Sequence, residues 1–394
     1  RNELESRMVK IEKMKKRVGI ITLHGHYNYG NKLQNYALQE TIKYLGCDVE
    51  TVIICNGIKK TNKPYNITKK INNLSYREIC EKIYNRIENT ISKKTMNYLY
   101  KRLINERIIK FKDFSSQYLS EKFFQNNDNE LKLLSKKYDF FIAGSDQVWN
   151  PAHGNKLDIY FLSFAKKNQR ISYAPSFGVA HIPEGMKDNY ITWLTQINYL
   201  SVREKTGAKI IKELTGIDVP VLLDPTLLVS KKKWLSISKK ALNRPEGEYL
   251  LTYFLGKIPN EAKKLIKDIS KKHKMKVIKL ADLKDKETYV TGPSEFIDYI
   301  NSASIFLTDS FHGVVFSILL ETPFVVYERI GASMYSRIET ILDKFNLRSR
   351  EAKNINNLDD ILNIDFSHVP PILDEEREKA LNYLKEALNI KEED

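Results

Sequence analysis

Two hydrophobic patterns alternate along the chain. Val18–Leu23 is a continuous apolar run, the mark of a strand covered on both faces. A glycine-bearing loop, His24–Gly30, follows it. Asn31–Leu45 then carries Leu33, Ala37, Leu38, Ile42 and Leu45 at helical spacing, and Gly46 stops the helix. Asp48–Cys55 reads as the next strand, so the chain opens with a β-α-β unit, the seed of a doubly wound sheet. Residues 58–137 read as mostly polar helix, with weak stripes at Ile83, Ile87 and Ile91 and at Tyr98, Leu99 and Leu103. Tyr138–Ala143, Arg170–Ala174 and Tyr199–Val202 are expected strands, with a helix over Ile191–Asn198. Pro220–Leu223 leads into a turn at Asp224-Pro225. A second alternating block begins near Glu248. Its expected strands are Tyr249–Leu255, Met275–Leu280, Ser304–Thr308 and Pro323–Tyr327. Its helices are Asn260–Lys272, Ser294–Ser302 and Val314–Leu320, with Tyr335–Phe345 and Asp374–Asn389 closing the chain.

This pattern predicts an α/β protein of two Rossmann-like domains facing a cleft, a GT-B-like layout, with a helical basic insertion in the first domain. The expected division is a basic extension over 1–17, a first domain over 18–220 that carries the insertion 58–137, a second domain over 221–370, and a C-terminal helix over 371–394. A length of 394 residues suits two to three domains. No apolar run reaches the ~18 residues that span a bilayer; the longest candidate, Gly313–Tyr327, is broken by Glu321 and Pro323. The charged N-terminus has no secretory apolar stretch, and Met14 reads as a natural start, with residues 1–13 either an upstream extension or a non-native addition. Cys47, Cys55 and Cys80 match no metal spacing, which leads one to expect a reducing, cytoplasmic setting.

The formal net charge is +15, and residues 1–17 and 58–137 hold all of the excess. A local basic surface suits an anionic substrate, an acidic membrane surface or plain solvation. Nucleic acid is not an expected partner, since no finger, RRM signature or helix-turn-helix is present.

In parallel sheets ligands gather at the carboxyl ends of strands, which selects the loops worth reading. Thr308-Asp309-Ser310-Phe311-His312-Gly313 places a polar cluster at a helix mouth, where free N–H groups favour an anion and His312 offers a proton near neutral pH. A plain cap by Asp309 or Ser310 with a structural histidine reads equally well. Gly144-Ser145-Asp146-Gln147-Val148-Trp149-Asn150 gathers several polar groups behind a buried strand, with Trp149 either a platform for a sugar face or a core ring. His24-Gly25-His26-Tyr27-Asn28-Tyr29-Gly30 with Gln34 lacks the GxGxxG spacing, so a dinucleotide is not expected, and neither is a metal. Arg203 ends a strand and suits a phosphate or a carboxylate, or else a salt bridge to Glu204. Asp224-Pro225-Thr226 reads as an interdomain turn. Arg337 lies on a late helix, facing either the cleft or the surface.

Six motifs then occur in order: NYGNKLQNYALQ (Asn28–Gln39), GSDQVWNP (Gly144–Pro151), YAPSFG (Tyr173–Gly178), SVREKTG (Ser201–Gly207), LLDPTLL (Leu222–Leu228) and TDSFHGVVFSI (Thr308–Ile318). Together they resemble the polysaccharide pyruvyl transferase family. The resemblance implies an enzyme that moves the enolpyruvyl unit of phosphoenolpyruvate onto two hydroxyls of a bacterial, typically lipid-linked, saccharide. The product is a pyruvate ketal in a capsule, exopolysaccharide or cell-wall polymer. No cofactor is implied; phosphoenolpyruvate is the donor substrate. The implied site has Arg203 on the donor and His312 as the acid that protonates its methylene carbon. Ser310 stands where those enzymes carry an arginine, so backbone N–H groups or Arg337 must hold the anion, or the donor differs. Asp146 is the expected acceptor of the sugar's proton. Asn28, Gly30, Gln34, Ser145, Gln147, Trp149, Arg203, Ser310, Phe311, Gly313 and Arg337 are the expected substrate contacts. The basic insertion 58–137 suits docking on anionic phospholipid at the inner face of the cell membrane or on the pyrophosphate of a lipid-linked acceptor. The competing expectations are a GT-B glycosyltransferase using a nucleotide sugar and a non-catalytic saccharide- or lipid-binding scaffold.

Overall fold

The computed structural model describes residues 15–55, 93–330, 335–355 and 361–391. Strands β1 (Arg17–Ile21), β2 (Asp48–Cys55), β3 (Glu121–Gln125), β4 (Phe140–Asp146) and β5 (Arg170–Pro175) form one sheet in the order β3-β2-β1-β4-β5. All of its pairs are parallel, with Val18 opposite Val49 on one side and Phe140 on the other. Strands β6 (Tyr249–Tyr253), β7 (Lys276–Leu280), β8 (Ile305–Thr308) and β9 (Phe324–Val326) form a second parallel sheet, β7-β6-β8-β9. Both orders reverse beside the first strand of the sheet, and such switch points are where open parallel sheets receive ligands. The architecture is therefore the α/β arrangement of two Rossmann-like domains facing one another.

Helix α1 (Tyr29–Tyr44) explains why the two sheets stay together. Tyr29, Leu33, Tyr36 and Ala37 follow the i, i+4, i+7, i+8 spacing of one helical face. That face joins a core with Trp234, Phe296 and Phe316 from the second-domain side. Leu38 and Ile42, one face over, join Val18, Ile20 and Ile142 of the first sheet. A helix with two apolar stripes is buried between two layers, and α1 is the element shared by both domains. Gly144 permits its close approach to β4, where a Cβ would stand 2.4 Å from Leu38 Cδ2.

The insertion differs from its sequence reading. Residues 56–92, including its first stripe, lie outside the described residues. Beyond them come a long helix, α2 (Lys93–Tyr118), then strand β3, then α3 (Asp128–Lys137). The stretch is not all helix: β3 pairs with β2 as the edge of the first sheet. Its alternation is weak because an edge strand leaves Lys122 and Phe123 exposed. Tyr199–Val202 forms only isolated bridges, Ile171 to Tyr199 and Val202 to Val221, rather than a strand.

Helices α4 (Lys187–Thr195) and α5 (Lys205–Thr215) follow β5, and α6 (Lys231–Ile237) precedes the second sheet. Around that sheet lie α7 (Asn260–Lys272), α8 (Pro293–Ser302), α9 (Phe311–Leu320) and α10 (Ser336–Lys344). Helix α11 (Val369–Ala387) returns to the first sheet, burying Ala380 and Leu384 beside Val18 and Ile20. Tyr383 Oη donates to Ser172 O at 2.8 Å there. Among the described residues no helix is long and apolar enough to cross a membrane.

Candidate active site

Helix α9 starts three residues earlier than its apolar pattern suggests, at Phe311, and so takes in His312. Ser310 is its N-cap; its Oγ accepts from Gly313 N at 3.3 Å. The expected loop is thus a helix mouth, with His312 in the first turn. Asp309 accepts from Leu255 N and Gly256 N at 2.7 and 2.8 Å, which ties the end of β8 to the end of β6. Arg329 Nε lies 3.3 Å from the same carboxylate.

His312 points across the domain seam. Its imidazole lies against Gly30 in the first turn of α1, so close that a Cβ there would stand 2.0 Å from Nδ1. Its Nε2 faces Asp224 Oδ2 at 3.5 Å. Asp224 had read as a turn, and it is one: Oδ1 accepts from Thr226 N at 3.0 Å and Thr226 Oγ1 at 2.6 Å. Its second oxygen does something the local sequence does not reveal. Oδ2 accepts from Ser145 Oγ at 3.1 Å and Arg203 Nη1 at 2.6 Å while facing the imidazole. One carboxylate thereby links the end of β4, the segment before α5, and α9. Burial alone would raise the Asp224 carboxyl, but His312, Arg203 and the Thr226 hydroxyl outweigh it and hold the group far below the ordinary carboxylate range.

Asp146 ends β4 with φ of 65°, a left-handed conformation that costs a non-glycine residue energy and recurs at functional sites. Its Oδ1 lies 3.4 Å from Arg203 Nη2 and 3.9 Å from Arg337 Nη1. Burial pushes its carboxyl up, while Arg203, His312 and Arg337 bring it below the usual value. Arg203 therefore pairs with Asp224 and Asp146, not with the adjacent Glu204. Glu204 instead accepts from Ser176 Oγ at 2.9 Å and Phe177 N at 3.2 Å, and burial holds its carboxyl above the ordinary range despite Arg203 and Arg337.

Both guanidiniums lie over the Phe311 ring, Arg203 at 4.5 Å and Arg337 at 5.6 Å from its centroid. Arg337 does not face the surface; it is buried, and with the Gln147 amide turned so that its oxygen meets the guanidinium, that oxygen accepts from Nη2 at 2.7 Å and Nη1 at 3.2 Å. Burial and the neighbouring Arg203 lower Arg337 to about 10, only partly opposed by Asp146 and Glu204. It stays charged at neutral pH. Nε of Arg203 and Nε2 of His312 are buried without a hydrogen-bond partner.

Other expected contacts take supporting positions. Asn28 caps α1, its Oδ1 accepting from Gly30 N at 2.8 Å. Gln34 is fully buried and donates to Thr22 Oγ1 at 2.9 Å. Ser145 supports Asp224 from beneath. Trp149 presents no face to the cleft: it is wholly buried, stacks on Phe161 at 4.8 Å, and donates through Nε1 to Tyr160 O. The sugar platform expected of it is a core ring, because the chain turns inward after Asp146. Sequence reasoning missed Asp224 as a member of the cluster. Its signal was a carboxylate ending an apolar run inside one of the six motifs. Among the described residues no group of three or more His, Cys, Asp or Glu side chains is placed to hold a metal ion.

No curated protein sequence matches the chain. Solved structures that resemble it include a putative UDP-N-acetylglucosamine 2-epimerase from Listeria monocytogenes, with a TM-score of 0.47 and 9% identity over 96% of this chain and 98% of that one. Another is UGT89C1 from Arabidopsis thaliana, with a TM-score of 0.42 and 12% identity over 95% and 98%. Likeness at this level carries no argument about activity. The polysaccharide pyruvyl transferase family model matches residues 28–329, a span that holds Gly30, Asp146, Arg203, Asp224 and His312, and the chain belongs to that family.

Proposed function

We propose that the protein transfers the enolpyruvyl unit of phosphoenolpyruvate to a saccharide and closes it as a pyruvate ketal. The observation that supports this is the convergence, at the carboxyl ends of β4 and β8, of two guanidiniums and an imidazole on one seam between the domains. Phosphoenolpyruvate carries a phosphate and a carboxylate, which match Arg203 and Arg337. Ser310 leaves the expected family arginine absent, and we assign its role to Arg337, which reaches Phe311 from α10.

In this scheme His312 delivers a proton to the methylene carbon of the donor, and the adjoining carbon becomes electrophilic. A sugar hydroxyl adds to that carbon and gives up its proton to Asp146, which the two guanidiniums keep ionised. A second hydroxyl then displaces phosphate and closes the ketal, and its proton leaves with the phosphate. The guanidiniums stabilise charge that grows on the departing phosphate. The acceptor is proposed to be lipid-linked. The exposed Lys101, Lys112, Lys122, Lys132 and Lys136 of α2, β3 and α3 suit an anionic headgroup surface near it.

The test is a thermal-shift titration followed by phosphate release. Phosphoenolpyruvate should raise the melting temperature, and phosphate should appear only when donor and a saccharide diol are both present. Stabilisation by a UDP- or GDP-sugar, with no response to phosphoenolpyruvate, would replace this scheme with sugar transfer.

A further inference from the structure

Helix α2 carries a buried cation outside the catalytic cluster. Arg107 is 2% exposed, and the hydrogen bonds of its guanidinium run to oxygens of two domains. Nη1 donates to Tyr29 Oη at 2.7 Å, Tyr289 O at 2.7 Å and Thr291 O at 3.3 Å. Nη2 donates to Tyr27 O at 3.1 Å. The guanidinium also lies 4.5 Å from the Tyr29 ring centroid and 5.0 Å from that of Phe111. Burying a full charge on neutral oxygens and rings is costly. An apolar side chain would fill the space without directing anything. What arginine adds is a rigid fork that fixes several acceptors relative to one another.

Those acceptors are significant because of their neighbour in the chain. Tyr27 and Tyr29 bracket the cap of α1, and Gly30, the next residue, is the surface on which the His312 imidazole rests. Tyr29 is also pinned from the second domain: its hydroxyl donates to Thr291 O at 3.0 Å and its ring stacks on Phe296 at 4.2 Å. Lys110, one turn further along α2, reaches Glu295 at 2.6 Å and adds a second tie to α8. The start of α1 is thus held at a set height over the imidazole by a residue that never touches the site.

We infer that Arg107 is a positioning residue for His312, acting through Tyr29 and Gly30 to fix the seam on which the imidazole lies. This rests on His312 being the proton donor, and it adds that the insertion helix sets where that proton is delivered. Loosening the fork should let the start of α1 drift by about an ångström, enough to cost roughly 10²-fold in turnover when reacting groups are misplaced. Donor binding should hold, since Arg203 and Arg337 are untouched.

The experiment uses the full chain with 13Cε1-labelled histidine, the His312 resonance being identified by its loss in His312→Asn. Arg107→Met and the milder Tyr29→Phe are compared with wild type for kcat, donor KM, melting temperature and that resonance. The expected result is a fall in kcat of about 10²-fold for Arg107→Met. A smaller fall is expected for Tyr29→Phe, with KM for phosphoenolpyruvate within about twofold and the His312 resonance displaced in both. A lower melting temperature with kcat per folded molecule and the resonance both unchanged overturns the inference. So does an unmoved resonance in Tyr29→Phe if Arg107→Met does not fold. If wild type releases no phosphate from phosphoenolpyruvate, the proposed function fails, and the resonance alone still decides whether Arg107 positions His312.

Discussion

Gly30→Ala isolates geometry from chemistry, because it removes no functional group. Taken by itself, α1 should welcome alanine, which is better than glycine by ~0.8–1 kcal/mol in a helix interior. The tertiary contact opposes it. The new Cβ would stand 2.0 Å from His312 Nδ1, 2.5 Å from Cε1 and 2.6 Å from Cγ. Ordinary contact needs roughly 3.5 Å, so the imidazole or the helix must give by about 1.5 Å. Overpacking of this kind costs ~1–3 kcal/mol, which the helix preference partly offsets, and the melting temperature should fall by only a few degrees. Turnover should fall much further, by roughly 10²-fold or more, since displacements near 1 Å already cost that much. The assay is phosphate release from phosphoenolpyruvate with the acceptor saturating, reported per folded molecule. Gly247→Ala serves as the control, as a Cβ there meets nothing within 4 Å. A Gly30→Ala enzyme with wild-type turnover would show that the imidazole need not lie where the seam holds it.

His312→Ala should lose ~10²–10⁴-fold in phosphate release per folded molecule, as expected of a general acid; wild-type-like turnover removes it from the mechanism. Asp224 and Asp146 have carboxyls lowered in the folded state, so each binds fewer protons when folded than when unfolded. Their stabilisation is present above the ordinary carboxylate range and lost as pH falls below about 4. Asp224→Asn should therefore flatten the acid side of the melting-temperature profile, and an unchanged profile would separate Asp224 from its neighbours. Trp149→Ala should destabilise by ~3–5 kcal/mol, as for other large core rings, while Trp149→Phe keeps acceptor KM near wild type. A selective rise in acceptor KM in Trp149→Phe would restore its sugar-binding role. The protein should sediment with phosphatidylglycerol vesicles at low salt and be released at high salt; equal recovery on neutral vesicles would argue against basic docking.

The alternation of apolar runs and helical stripes determined the class of fold without help. Asn260–Lys272 and Asp48–Cys55 take the bounds their patterns predict, because burial against neighbouring layers imposes those periods on the residues themselves. The strand-end rule also led to the two loops that meet at the seam, since Asp146 ends one buried parallel strand and His312 follows another. The site's membership was decided only in three dimensions. Asp146 and Arg203 are 57 positions apart, and no local period records that they meet. Asp224 shows a turn in its own neighbourhood because one of its oxygens makes that turn; the other answers to β4 and α9. Trp149 looked like a platform because composition cannot say which side of a strand end the chain will take. Strand β3 was lost among polar residues because an edge strand is not obliged to hide its side chains. The two stripes of α1 are visible in its letters, but what each stripe would cover, and that His312 would lie against Gly30, depended on how the two sheets met.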